Sequence, residues 1–430
     1  MLETSLTAGP LPSIEKLDII ARKTRLIIRK SNRFSAHGFL LSLIQTVLQG
    51  NNSLNHLAIG LGKFEHQAMS RQAMHQRLDE ASSVFLLSVL SELIKSRTRS
   101  IVNTASDTVF KRILIEDCTV LPMHKFNHEI FPGNGNAKTQ TAGAKIHLLG
   151  DWLSGDILEC ALHSARDADQ GLGGEVLDHL QPNDLVIRDM GFFRLDTLRQ
   201  IEDTKAFWLS RLPAGTSGRD EHGTALDDLL KKQKSNRLEI TIHLGSRTPK
   251  TCRLIATRLS PSATEKNRRL RRRNAKKHGA TVSQRALLRD EWSILITNLT
   301  KNEADAEMLH KLYSLRWSIE IQFRGMKQSC RLEKTFNHKA SHYHQEALLL
   351  AAMVYQVMTL KMHTVLRHHI IKTGAKIEIS YEKLCDAMSI YLTCITKFNP
   401  SPPFKPDLWH LMHDQRRRQT LYTKGLHSLA

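Results

Sequence analysis

The chain has little that would staple it shut or anchor it. Its 430 residues hold six cysteines, at 118, 160, 252, 330, 385 and 394, and no CxxC pair. That scatter argues against a disulfide frame or a cysteine zinc site and fits free thiols in a reducing cytoplasm. The N-terminus lacks an apolar signal core followed by a small-residue cleavage site. The longest apolar run, 347–360, contains Gln356 and falls short of the ~20 residues a bilayer-spanning helix needs, so a buried helix is expected there. Nucleotide loops are missing too. GNGNAKT at 133–139 has Ala137 where a phosphate loop requires glycine, and GLGG at 171–174 follows no strand of a dinucleotide-binding unit. Internal repeats and long low-complexity linkers are also absent.

Acidic residues are in short supply as well. Asp and Glu number 42 against 62 Lys and Arg, a net charge of +20. The excess calls for an anionic partner, with nucleic acid foremost and an anionic membrane surface or a merely basic exterior as the alternatives. At this length, two to four domains can each bury a core.

Helical patterns fill residues 1–105. Within them, 54–59, a turn with Gly60 and Gly62, and 70–78 form either a helix-turn-helix or an ordinary α-hairpin. Ser70 is the expected N-cap and Arg71 the leading basic contact. Strand patterns begin near 106: 112–122, 144–152 and 156–164, then 185–188 ending at Asp189, then 206–212. A block at 213–290 interrupts this order with a hairpin at 237–244 and 251–259. The run KNRRLRRRNAKK (266–277) follows, with Arg271, Arg272 and Arg273 at its centre and no acidic residue inside it. It is either a DNA grip or a solvated loop, and the missing acids favour DNA contact. Strand 292–299 resumes the earlier order, and 336–430 is helical with a basic tail at Arg416, Arg417 and Arg418. Strands alternating with helices define an α/β protein.

The segment 313–327, YSLRWSIEIQFRGMK, is the most informative. On one α-helix, Tyr313, Arg316, Glu320 and Lys327 fall at about 0°, −60°, −20° and −40°, a single narrow stripe. Beside it lies an apolar stripe of Met308, Leu312, Leu315, Ile319, Phe323 and Met326. Trp317, near +40°, either stacks on a displaced base or packs into the core.

Two further carboxylates join Glu320. Asp117 interrupts an apolar strand and Asp189 ends another, positions that are costly without compensation. Glu116 and Asp184 have blander expectations, a strand-edge charge and a turn residue, and Arg188 is placed to pair with Asp189. Three converging carboxylates need a cation between them. Mg²⁺ suits hard oxygen ligands and phosphate, and two ions ~3.5–4 Å apart can serve the attacking and leaving oxygens. His338, His342 and His344 lack a fourth ligand for zinc, and His124 and His128 are expected at the surface.

The spacing Tyr-(2)-Arg-(3)-Glu-(6)-Lys, with IEDCTVLP around Asp117, FPGNGNAKTQTAGAKIHLLGDWLSGDI after it and DLVIRDMGFF around Asp189, resembles DDE transposases of the insertion-sequence-4 type, the hairpin-forming cut-and-paste group. The resemblance implies an RNase H-like catalytic core at 106–212 and 291–335. The β-rich basic insertion at 213–290 interrupts it, with a helical DNA-binding region at 1–105 and a helical region at 336–430 suited to dimerisation. It implies Asp117, Asp189 and Glu320 as catalytic metal ligands for Mg²⁺, with Mn²⁺ as substitute and two ions in the site. Tyr313, Arg316 and Lys327 would contact the transposon-end backbone. The implied partners are double-stranded DNA, as terminal inverted repeats and target, and a second copy of the chain, with no membrane, in a bacterial cytoplasm at the nucleoid. A catalytically inactive or domesticated DNA-binding protein is the alternative reading.

Overall fold

The structure, a computed structural model, describes residues 11–29, 31–65, 67, 69–96, 109–135, 140–246, 248–277, 279–373, 378–399, 402, 404 and 411. The basic tail at Arg416, Arg417 and Arg418 lies outside the described residues, as do positions 136–139 of the GNGNAKT stretch. Among the described residues, five helices come first: α1 (Ile14–Lys23), α2 (Ala36–Leu48), α3 (Leu54–Leu61), α4 (Arg71–Arg77) and α5 (Glu80–Lys95). Strands β1 (Arg112–Met123), β2 (Ala142–Asp151) and β3 (Ile157–Ser164) follow, then α6 (Asp169–Leu172), β4 (Asp184–Arg188), α7 (Leu195–Asp203) and β5 (Phe207–Arg211). Next come β6 (Gly218–Arg219), α8 (Leu226–Lys232), β7 (Arg237–Leu244), β8 (Lys250–Arg258), α9 (Pro261–Lys277), α10 (Gln284–Arg289) and β9 (Trp292–Thr297). The chain continues through α11 (Ala306–Ser314), α12 (Trp317–Ser329), α13 (Leu332–Phe336), α14 (His342–Thr373) and α15 (Tyr381–Cys394).

These elements form two compact units, and β1 runs through both. One unit comprises 1–105, 117–167 and 317–423; the other comprises 106–116, 168–316 and 424–430.

In the first unit α14 is the central helix. Its segment 347–358 is almost wholly buried, and α2, α5, α12 and α15 pack on it. The helix is long and apolar enough to cross a membrane, but 83% of its most apolar stretch is buried inside the protein, which marks a core helix. Gln45 on α2 spends its amide on the carbonyl oxygens of Leu392 and Ile395, tying α2 to the end of α15. The sheet edge of this unit follows the order β3-β2-β1, with β2 and β3 antiparallel. Their turn uses Gly155 at φ +74, a conformation that suits glycine.

The second unit is ordered β1-β4-β5-β9-β8-β7-β6. β1, β4 and β5 are parallel, and β5, β9, β8, β7 and β6 pair antiparallel. β4 is buried at every residue, as expected of a parallel strand covered on both faces. The order β3-β2-β1 in one unit and β1-β4-β5 in the other is that of an RNase H-like core, and strands β6 to β8 lie within 213–290, where the sequence places its β-rich insertion.

The continuous helix expected over 313–327 is two helices. Leu315 and Arg316 form a turn between α11 and α12. There the Leu315 and Arg316 amides donate to the carbonyls of Leu312 and Tyr313, a tightened i→i−3 pattern that ends the α-helix. The apolar stripe survives the break: Leu312, Leu315, Ile319, Phe323 and Met326 are all buried.

Candidate active site

The break in the signature helix falls where the chain passes from one unit to the other. Tyr313 and Arg316 therefore belong with Asp189, and Glu320 and Lys327 with Asp117.

In the unit holding Asp189, β4 delivers its last residue, Arg188, fully buried, and Asp189 follows at the strand's carboxyl end, half-buried. A single tight turn, 190–192, comes next, its Phe192 amide donating to the Asp189 carbonyl. Gly191 in this turn lies against Asp169, whose Oδ2 would be 2.9 Å from a Cβ placed there. The Tyr313 hydroxyl donates to Asp189 Oδ1 at 3.4 Å, and Arg316 Nε lies 3.9 Å from the same oxygen. Burial, and then the Asp189 carboxylate, push the Tyr313 phenol well above its ordinary range. It stays a protonated donor. Arg211, the last residue of β5, also acts on that phenol and was not singled out from the sequence. Its place comes from the strand register, which pairs Arg188 with Ser210 and so sets Arg211 opposite Asp189.

Arg188 does not pair with Asp189. It forms a buried ion pair with Glu116, donates to the Gly173 carbonyl at 2.7 Å, and its guanidinium lies 5.5 Å from the centre of the Phe192 ring. Glu116 is thus a buried structural partner and no strand-edge charge. Asp184 is likewise buried and bidentate with Arg112, and it accepts the Gln181 amide at 2.7 Å. Both acids take their arginines from neighbouring strands, which sequence spacing alone does not reveal.

In the unit holding Asp117, this residue is half-buried in β1 and accepts the Cys118 amide at 2.8 Å through Oδ1. Glu320 lies in the first turn of α12 and Lys327 two turns later. Lys327 Nζ donates to the Val120 carbonyl at 3.0 Å, three residues along β1 from Asp117, and burial lowers its pKa. Trp317 is 45% exposed, so the core-packing reading fails and its ring is available at the start of α12.

The remaining residues divide. Ser70 caps α4, its hydroxyl accepting the Ala73 amide, and Arg71 is exposed. Arg271 is bidentate to Asp290 at 2.7 and 2.6 Å, and Arg272 lies 3.4 Å from Glu265. The acids missing from 266–277 thus come from the preceding turn and from the segment before β9. Arg273 remains exposed. His344 is buried, with a pKa lowered to about 4 by burial and then by His75. It is a core histidine.

A carboxylate at the end of a parallel strand, held by a phenol and a guanidinium on an RNase H-like frame, suits phosphoryl transfer. Residues 108–357, more than half of the chain, match the family described as "Transposase DDE domain", and the chain belongs to that family. It is 27% identical over 346 residues to the transposase for insertion sequence element IS231E of Bacillus thuringiensis subsp. finitimus, covering 75% of this chain and 72% of that protein. The transposase for IS231D from the same source is 28% identical over 378 residues, 82% and 78% of the two chains. The transposase for IS1151 of Clostridium perfringens is 25% identical over 360 residues, 77% and 74%. Among solved structures, a piggyBac transposase synaptic complex with hairpin DNA aligns with a TM-score of 0.45 at 12% identity, covering 88% of this chain and 77% of that one. The protein is a DDE transposase.

Proposed function

We propose that this transposase excises an insertion sequence from donor DNA and joins the freed 3′-OH ends to target DNA, with Asp117, Asp189 and Glu320 as its catalytic carboxylates. The observation that carries the reading is the grip of Tyr313 and Arg316 on Asp189 Oδ1. It orients one carboxylate at a strand end and leaves a cation and a protonated phenol beside it, where phosphate oxygens need donors.

The donor set fits magnesium. Three carboxylates offer only hard oxygen ligands, and no described thiol or imidazole belongs to the set. One or two such ions, when bound, would neutralise the phosphate and lower the barrier for an oxygen nucleophile.

The chain's own groups then have separate roles. Arg316 presents a planar fork to a non-bridging phosphate pair, and Lys327 supplies a point charge near β1. Tyr313 donates without giving up its proton. Trp317 stacks on a base displaced at the cut. Water attacks the scissile phosphate, the 3′ oxygen leaves, and the freed 3′-OH attacks the opposite strand to close a hairpin. Hairpin opening and attack on target DNA repeat the same in-line exchange. Two copies of the chain would pair two ends, with terminal inverted repeats as the sequence read. Residues 1–105 would serve DNA recognition and 336–430 would serve pairing of the copies.

Purified protein incubated with a duplex carrying its own element's ends tests the reading. Cleavage should require Mg²⁺ or Mn²⁺, stop with EDTA, and vanish in Asp117→Ala, Asp189→Ala and Glu320→Ala proteins that keep the parent's melting temperature. Uncut ends in both metals, or variants that cut as well as the parent, would overturn it.

A further inference from the structure

Helix α9 sorts its cations by face. It begins at Pro261, after Ser260, whose hydroxyl accepts the Ala263 amide at 3.3 Å. It ends before Gly279, at φ +63. Taking Arg268 as zero on a helical wheel, Asn267, Arg268, Arg271 and Ala275 fall within about 100° of one another. That face is the anchored one. Arg268 donates to Glu291 at 2.6 Å and to the Leu287 carbonyl at 3.2 Å, Arg271 is bidentate to Asp290, and Asn267 donates to the Asp290 carbonyl at 3.4 Å. Lys266, Arg269, Arg273, Lys276 and Lys277 fall on the opposite side, between about 80° and 180°. All five are exposed, and no acidic side chain pairs with any of them among the described residues.

We propose that this outward stripe is a second, sequence-independent DNA-binding surface that takes the sugar–phosphate backbone of a duplex. The proposal rests on the transposase reading and adds a surface to it. Like charges this close repel one another and destabilise an isolated helix. Here the two inner arginines hold the helix rigid against Asp290 and Glu291, so the outer five are presented at fixed spacing over about 16 Å. A cation row matches a polyanion by charge, and three of its five members, Lys266, Lys276 and Lys277, are point charges suited to phosphate oxygens, which take most of the hydrogen bonds proteins make to a duplex. The occupant is therefore DNA whose sequence is not read, and Arg271 is a positioning residue for the helix.

The experiment measures binding of the full chain in EDTA, so that cleavage plays no part. Fluorescence anisotropy follows an inverted-repeat duplex and a scrambled duplex of equal length across a salt series. The K266Q/R269Q/R273Q/K276Q/K277Q protein should lose a slope of about 4 to 5 in log K against log salt, roughly 0.9 per phosphate released, equally on both duplexes. R269K/R273K, which keeps the charge, should retain the parent slope and shows whether the loss is electrostatic. A slope change below about one for the quintuple variant, or a loss confined to the inverted-repeat duplex, overturns the proposal. The catalytic reading stands or falls separately on cleavage in Mg²⁺.

Discussion

Glu116 and Asp117 are neighbours on β1, yet Glu116 is fully buried against Arg188 while Asp117 is half-buried. Removing the Glu116 carboxylate strands a buried guanidinium, which costs about 3–5 kcal/mol. Glu116→Ala should therefore lower the urea midpoint sharply, whereas Asp117→Asn should abolish end cleavage with the midpoint unchanged. If Glu116→Ala is as stable as the parent, the ion pair has no structural role. Tyr313 allows a second contrast. Its hydroxyl is a long hydrogen bond to a carboxylate, so Tyr313→Phe should slow cleavage by about tenfold. Because the phenol is pushed upward by burial and by Asp189, it stays protonated through neutral and mildly alkaline pH. The pH–rate profiles of parent and Tyr313→Phe should then be parallel between about pH 6 and 9. A limb that disappears in the variant would make Tyr313 a proton donor or acceptor instead.

Elements show where local pattern suffices and where it does not. Helix α12 carries Glu320 and packs on α15 through Gly325, where a Cβ would meet Tyr381 Cε1 at 2.9 Å and Cys385 Sγ at 3.0 Å. Alanine in mid-helix normally stabilises by about 0.5–1 kcal/mol relative to glycine. Here overpacking reverses the sign, and Gly325→Ala should destabilise by about 1–3 kcal/mol in urea titration. A gain in stability would mean that the α12–α15 approach is looser than described. The eight long strands lie within two residues of the positions expected from apolar runs and turn residues, because those signals are local. The break at Leu315 and Arg316 is not legible that way. No glycine or proline marks it, and Arg316 is turned toward Asp189, more than a hundred residues away in sequence. The run at 266–277 shows the converse. Its charge leaves a DNA grip or a solvated loop open; it contains no glycine or proline, and it is a helix anchored on Asp290 and Glu291. The strand positions of Asp117 and Asp189 are legible because a carboxylate interrupting or ending an apolar strand stands out there. Which of two adjacent acids turns inward depends on the β1–β4 register, and that is why the strand-edge reading of Glu116 fails.

At the scale of the whole molecule, charge and stability pull in opposite directions as pH falls. The chain carries +20 before any of its 22 histidines is protonated. Burial lowers the pKa of His37, His310, His344 and His368, His344 to about 4 from 6.5. Between about pH 6.5 and 4 the unfolded chain therefore binds more protons than the folded one, and stability is lost on acidification through that window. His344 alone accounts for about 3 kcal/mol by its lower end. The melting temperature should fall steadily from pH 7 to pH 5, above the range where most carboxylates titrate, and His344→Gln should flatten part of that slope. A folded chain of net charge +20 attracts phosphate throughout this range. Bound duplex, which favours the folded state by mass action, should therefore offset the acid-induced loss. Melting curves at pH 7, 6 and 5, with and without a scrambled duplex, measure both. The duplex should raise the melting temperature at each pH, and a melting temperature unmoved by DNA would show that nonspecific binding contributes nothing to stability.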